Sequence, residues 1–370
     1  MITTSGTTSA HDLFVPGIGQ YENIGDIILR RQLLGWLRPL GRLHVYVGSA
    51  HEGYAEGLGL QDSDVCYSSF ARWYAAGMRS AANGTAHYVF KPGEIQLSLA
   101  GLKEHVAMLP LALLLKLRGG RIVRAGAGTR NKAALPRMLM WPSIALADRV
   151  WWRDPATAAY FGVGQVMPDL AFGEGDDPPS TGAHRGLLSV SMRGDRPALP
   201  QSWIDGVKQF ASDNHLQCVV VTQVARDAAR SAELAHALGA QLVDWDGKAH
   251  AHQEALLRDV YRQSLLAVSD RLHVLISAFT HGAIPAAAQN DGADKIARHF
   301  AAAGIHDMAF DSTGMGGAAI AARLQAARDA GPAMFVRLGV ARIELQSVRE
   351  EIAELLAPTD ALLAPTPKTR

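Results

Sequence analysis

The sequence predicts an α/β protein made of two units, each a parallel sheet covered by helices on both faces. Three observations carry that expectation. Short apolar strands alternate with amphipathic helical segments along nearly the whole chain, the rhythm that builds parallel sheets. The rhythm stops once, at Gly173–His184 (GEGDDPPSTGAH), which is acidic, Pro/Gly-rich and without apolar periodicity, and so reads as a linker. A length of 370 residues, 48% apolar and 19% charged, fills about two ordinary domains and excludes extensive disorder.

The first unit, residues 1–172, opens with a strand at Leu13–Pro16 and a Gly-rich turn into a helix over Ile24–Leu37. Strands follow at Leu43–Val47, Val65–Tyr67, His87–Phe90, Arg121–Arg124 and Val150–Trp152, with helices at Arg72–Ala82, Leu102–Lys116 and Asn131–Leu146 between them. The second unit, residues 185–335, begins with a strand at Leu187–Ser191 and a helix at Trp203–Asp213. It continues through Cys218–Thr222, the Ala-rich helix Asp227–Leu238, and strands at Leu242–Asp244, Leu265–Val268 and Ile284–Ala288. Apolar positions at helical spacing predict a last helix at about Arg337–Leu356, within 336–357, before a loose tail at 358–370.

Charge is balanced, 36 Lys plus Arg against 35 Asp plus Glu. A protein that binds nucleic-acid backbones carries a basic surplus, so nucleic acid is not the expected partner. Cys66 and Cys218 are far apart and in no metal spacing; they read as reduced, buried thiols of a cytoplasmic protein. The first residues show no signal-peptide pattern, and the most apolar run, Val106–Leu115, is interrupted by Pro110 and too short to span a bilayer.

In open α/β sheets ligands sit beyond the carboxyl ends of strands, so the residues there are the candidates. After the first strand comes Gly17-Ile-Gly19-Gln-Tyr-Glu22-Asn23-Ile-Gly25-Asp26. Glu22 occupies the third-glycine place, so the dinucleotide fingerprint fails, and no phosphate-loop lysine follows. From local chemistry alone this is a strand–helix turn with an Asn or Asp cap. Gly126-Ala-Gly128 reads as another Gly-rich strand end. Arg153, at the end of the last strand of the first unit, either faces the cleft or pairs with Asp154 at a helix cap. In the second unit Arg193 ends the opening strand, and Asp270-Arg271-Leu272-His273 joins a strand to a helix. A guanidinium, an imidazole and a helix N-terminus together suit an anion carrying carboxylate and phosphate. Asp244-Trp-Asp246 has the Asp-x-Asp form of a cation loop, and His250-Ala-His252 a third ligand short of a metal site; the second reads as a solvated helix start. Hydrolase elbow and zinc-protease motifs are absent.

Taken in order, these pieces resemble the polysaccharide pyruvyl transferase family. Gly19 to Asp26 is similar to its Asn-x-Gly-Asp opening, and Arg153-Asp154…Pro168-Asp169-Leu-Ala-Phe172 to the close of its first domain. Ser191-Met-Arg193 matches its arginine strand, and Asp270-Arg271-Leu272-His273…Gly282-x2-Pro285 its most specific signature. The chain departs from the pattern at Ile27, where the family often has Glu, and at Gln289-Asn-Asp-Gly292, where it often has tyrosine and lysine. The resemblance implies two Rossmann-like domains arranged as in GT-B glycosyltransferases, with the active site in the cleft. It implies transfer of pyruvate from phosphoenolpyruvate onto two hydroxyls of a sugar in a polysaccharide or glycolipid precursor, giving a cyclic ketal. The donor would be held by Arg193, Arg271, Leu272 and His273, the acceptor by Asn23, Gly25, Asp26 and Arg153. His273, Arg271 and Asp26 are the candidate catalytic groups, with neither cofactor nor metal required, because arginines carry the charge work. The acceptor would be a sugar or lipid-linked saccharide, the latter bringing the protein to the cytoplasmic membrane face. The rival readings are a GT-B glycosyltransferase using a nucleotide sugar, which leaves the Arg-Leu-His signature unexplained, and a non-catalytic sugar-binding protein.

Overall fold

The computed structural model describes residues 11–49, 53–180, 185–247, 249–290, 292 and 294–357. The first half holds β1 (Asp12–Pro16), α1 (Ile24–Leu37), β2 (Arg42–Tyr46), α2 (Tyr54–Gly57), β3 (Val65–Tyr67), α3 (Phe70–Ala82), β4 (Ala86–Phe90) and β5 (Gly93–Ile95). It goes on with α4 (Lys103–Ala107), α5 (Leu109–Leu117), β6 (Ile122–Thr129), α6 (Ala134–Ala145), β7 (Arg149–Trp152), α7 (Pro155–Phe161) and β8 (Gln165–Val166). The second half holds β9 (Leu187–Ser191), α8 (Gln201–Asp213), β10 (Gln217–Val221), α9 (Ala228–Leu238), β11 (Gln241–Val243), α10 (His250–Gln263) and β12 (Ser264–Ser269). It closes with α11 (Leu272–Thr280), β13 (Ile284–Gln289), α12 (Lys295–Ala302), β14 (Ala309–Asp311) and α13 (Gly317–Leu356).

These strands form two separate parallel sheets. The first runs β3-β2-β1-β4-β6-β7-β8 with β5 beside β6, the second β11-β10-β9-β12-β13-β14. Both order their early strands 3-2-1-4, so each reverses direction beside its first strand, where a crevice opens. In the first sheet that point lies at the end of β1, in the second at the ends of β9 and β12. The fold class expected from the sequence is therefore the one observed.

One continuous core joins the inner layers of both halves. Ile24, Ile28 and Leu33 of α1, Leu275 and Phe279 of α11, and Leu338, Leu345 and Ile352 of α13 are buried within it. A second cluster packs α3 and α5 on the far face of the first sheet through Phe14, Trp73, Tyr88 and Leu111.

Several elements differ from the expected ones. The last helix begins at Gly317, not Arg337. Gly331 and Pro332 look like a break, yet the helix runs through them; a Cβ at Gly331 would lie 2.5 Å from Ile284, so the glycine gives α13 clearance over β13. The helix then reaches the first half, where Arg342 donates to the carbonyls of Phe172, Glu174 and Asp176. The segment expected as Leu102–Lys116 is two helices meeting at Met108, with Pro110 in the first turn of α5, where its missing N–H costs nothing. Gly126 and Gly128 lie inside β6, not at its end: Gly126 (φ +74°) makes a bulge between Ala125 and Ala127. Of the expected linker, Gly173 closes the turn after Leu170, 174–180 are described, and 181–184 lie outside the described residues, as does the tail 358–370.

Candidate functional site

The sheets' crevices face one another across a cavity of about 560 Å³. Nine cationic side chains line it (Arg30, Lys91, Arg130, Arg153, Arg193, Arg196, Arg226, Arg271 and Lys295) against three carboxylates (Asp26, Glu94 and Asp270). Four further carboxylates outside the lining, Glu104, Asp169, Asp195 and Asp227, pair with Lys91, Arg153, Arg193 and Arg271, which leaves a local surplus of two positive charges. A basic wall of this kind concentrates anions.

From the first half, Asn23 caps α1 by accepting from Gly25 N at 3.0 Å, and its amide donates to Gln20. Asn23 lines the cavity, but its carbonyl is committed to the cap. Gly25 does not line the cavity; its role is clearance, since a Cβ there would lie 2.3 Å from His273 Cβ. This is why Asn-x-Gly-Asp is the useful order: a cap, a gap for the imidazole, then a carboxylate aimed into the cavity. Asp26 accepts from Gln20 N at 3.0 Å and lies 3.4 Å from Arg30. Burial pushes its carboxyl up, but Arg30, the Gln20 N–H, His273 and Arg153 outweigh it and hold Asp26 below the usual carboxylate range.

Arg153 settles the choice left open by the sequence. Asp154 caps α7 through Thr157 and pairs with Arg298 from the other half. Arg153 instead binds Asp169 at 3.0 Å, both buried, while lining the cavity. A Cβ at Gly128 would meet both Arg153 and Asp154, which explains that glycine. Asp169 also stands 3.5 Å from His273 Nε2, within ion-pair reach, and His273 Nε2 makes no hydrogen bond among the described residues. Burial alone would raise the Asp169 carboxyl; His273 and Arg153 hold it far below its ordinary value. His299 is buried too, with neither ring nitrogen hydrogen-bonded among the described residues, and burial together with Arg153 pushes its pKa well below the usual value.

From the second half, Ser269 Oγ bridges the ends of β9 and β12, donating to Ser191 O and accepting from Arg271 N. α11 then starts at the cavity, with Leu272, His273 and Val274 in its wall, and its N-terminus favours an anion. Arg271 is held in a bidentate pair with Asp227, Nε to Oδ2 at 2.6 Å and Nη2 to Oδ1 at 2.5 Å. Its Nη1 has no hydrogen-bond partner among the described residues. Arg193 is bidentate to Asp195, at 2.8 and 2.7 Å. That partner is exposed, so the pair exchanges readily for another anion.

The sequence reading gave no role to four groups, of which Asp270 and Lys295 line the cavity and Asp169 and His299 lie outside its lining. Asp270 accepts from Arg193 N at 2.8 Å; burial raises its carboxyl to about 6, against the pull of that N–H and of Arg271 and Arg193. Lys295 reaches the cavity from α12 and pairs with Glu94 of the first half. Burial lowers its pKa, with Glu94 opposing. Asp169 was visible only as part of a motif, and His299 carried no local signal at all.

The metal alternatives do not gather. Asp244 and Asp246 are not in the cavity wall. His250 is not the solvated helix start the sequence suggested: it is buried, with Nε2 2.5 Å from Tyr21 O, and ties the two halves together. No group of three metal-ligating side chains occurs among the described residues.

The sequence profile of the polysaccharide pyruvyl transferase family matches residues 23–283. No curated protein matches the chain. Solved structures similar to it include UDP-GlcNAc 2-epimerase from Neisseria meningitidis bound to UDP-GlcNAc, with TM-score 0.57 at 7% identity over 93% of this chain and 99% of that one. Anabaena HepE in complex with UDP gives 0.56 at 12% identity, over 94% and 99%. A glycosyltransferase from Rickettsia africae gives 0.54 at 10% identity, over 96% and 100%. At such identities the likeness is one of fold, the GT-B arrangement of two Rossmann-like sheets.

Proposed function

Because the chain belongs to the polysaccharide pyruvyl transferase family, we propose that it moves the pyruvyl group of phosphoenolpyruvate onto two hydroxyls of a sugar in a polysaccharide or glycolipid precursor. A cyclic ketal forms and phosphate is released. The observation that best supports this donor is the cavity wall, where nine cationic side chains and the α11 N-terminus meet Asp270, a carboxyl whose pKa is raised to about 6. Phosphoenolpyruvate brings both a carboxylate and a phosphate, and its reaction begins with a proton.

Asp270, protonated, delivers its proton to the donor's methylene carbon, and the adjacent carbon becomes electrophilic. The first sugar hydroxyl adds there and gives up its proton. The carbon–oxygen bond to phosphate then breaks, the second hydroxyl adds, and its proton departs. Of the two hydroxyl protons, one restores Asp270 and the other leaves with phosphate. Arg271 Nη1, Arg193 and Lys295 hold the donor's charges. His273, oriented by Asp169 and given room by Gly25, contacts the phosphate or relays a proton. Asp26, ionised and on the opposite wall, orients the hydroxyls. Phosphate release from phosphoenolpyruvate across a panel of glycosides tests the reading. Release that depends on a diol acceptor supports it; none with any acceptor contradicts it.

A further inference from the structure

We propose that the outer face of α4, α5 and α6 docks on an anionic lipid bilayer. The sequence of α5, LPLALLLKL, is apolar around its whole circumference. Its Leu111, Ala112 and Leu115 fill the core, which leaves Leu113 51% and Leu117 81% exposed. In α6, Met140 and Ile144 are buried while Leu135, Met138, Leu139 and Trp141 are exposed. α4 and α5 both pack against α6, so the three helices are neighbours and each exposes apolar side chains. Of the fourteen large hydrophobic side chains exposed among the described residues, eight lie between 99 and 141. Apolar groups gathered in this way mark an interaction surface.

Charge selects the partner. Residues 99–149 carry nine Lys and Arg and two Asp and Glu; with Arg124 buried and Arg130 in the cavity wall, the remaining seven cations and two carboxylates give a net of +5, while the whole chain carries +1. Exposed Lys103, Lys116, Arg118, Arg121 and Lys132 accompany the apolar patch. Apolar side chains among lysines and arginines, with a tryptophan beside them, suit the headgroup layer of an anionic membrane. A second copy of the chain suits it poorly, because a two-fold contact would press one basic rim against its equal. No helix among the described residues is long and apolar enough to cross a membrane, so the contact lies in the interface.

A second pocket lies between α4 and the charged cavity. Mostly apolar and about 260 Å³ in volume, it includes Ala107 and Met108 at the end of α4 and Phe70 and Trp73 of α3. Ile18 and Tyr46 line both this pocket and the charged cavity. An acceptor with an apolar tail in the bilayer and a sugar at its head fits the two pockets. This last step rests on the proposed pyruvyl transfer; the docking itself does not.

Flotation of the full chain with vesicles tests it. The wild type should bind vesicles containing phosphatidylglycerol at least about tenfold more tightly than pure phosphatidylcholine, and high salt should weaken the binding. Leu117→Gln with Met138→Gln should lower binding at least about tenfold while melting temperature and molar mass stay unchanged. Trp141→Phe should remove part of the blue shift in fluorescence on binding. Three results would overturn the proposal: wild type that does not float with phosphatidylglycerol, a double variant that floats like wild type, or a chain that pairs through this face and floats with neither vesicle. Phosphate release with a short soluble glycoside, run on the same proteins, separates the two readings. Its absence in wild type contradicts the pyruvyl transfer and leaves the docking result standing.

Discussion

Replacing Arg271 by Lys separates two roles that the structure gives one side chain. Arg271 binds Asp227 through Nε and Nη2 and turns its remaining edge to the cavity. Lysine keeps the charge but reaches either Asp227 or the donor, not both. Asp227 would keep Gly194 N–H at 2.8 Å and one contact from the ammonium, so the loss in stability should be about one charge-assisted hydrogen bond, roughly 1.5–3 kcal/mol. The donor loses the Nη1 contact in the transition state, one charge-assisted hydrogen bond of roughly 1.5–3 kcal/mol, or about ten- to a hundredfold in kcat/KM. Arg271→Ala is harsher. It strands Asp227, 1% exposed, as a buried uncompensated carboxylate, which costs about 3–5 kcal/mol. The Asp227 pair therefore predicts a clear fall in melting temperature. Arg271→Ala with Asp227→Asn should recover much of the stability and none of the activity. The assay is melting temperature and phosphoenolpyruvate affinity on the same samples. A folded Arg271→Lys or double variant that binds the donor like wild type would refute the donor role and leave Arg271 as a structural ion pair.

Other outcomes follow from the same geometry. Asp270→Asn should lower kcat by at least about a hundredfold with the protein still folded, and unchanged turnover would remove Asp270 as proton donor. Because the folded protein raises this carboxyl from 3.8 to about 6, Asp270 binds its proton more tightly when folded. Its contribution is fully present below about pH 4 and is lost as pH rises through about 6. Denaturant titrations across that window should show stability falling in wild type more than in Asp270→Asn; parallel curves would contradict the shift. Gly25→Ala should cost about 1–3 kcal/mol by forcing His273 aside and lower kcat more than donor affinity, which steady-state kinetics would show. Turnover should persist in EDTA; loss restored by magnesium or manganese would favour a metal-dependent nucleotide-sugar transferase.

The sequence reveals what is local. Alternating strands and helices give two parallel sheets, and strand ends locate Asn23, Asp26, Arg193, Arg271 and His273, all of which line one cavity. What it hides is pairing at a distance. Arg271 and Asp227 are 44 positions apart, so nothing near Arg271 signals that its fork is occupied. Asp270 looks like half of a local ion pair with its neighbour, yet Arg271 turns to Asp227 and burial leaves Asp270 easier to protonate. Lys295 and His299 lie on a helix that the alternation pattern did not register, and only the packing of α12 against α7 and α11 brings them to Asp169 and Glu94. The unexpected length of α13 has the same cause: Gly331 and Pro332 break helices in isolation, while Ile284 needs the space that glycine leaves.

The central claim is that the cationic cavity takes phosphoenolpyruvate and turns it over onto a diol. The direct measurement is phosphate release from phosphoenolpyruvate with a glycoside panel, joined to mass spectrometry of the glycoside. The account predicts phosphate formed in step with an acceptor that gains one pyruvyl group with loss of water, and both signals lost in Asp270→Asn. An enzyme that releases no phosphate with any glycoside, while a nucleotide sugar is consumed and the acceptor gains a hexose, would contradict it.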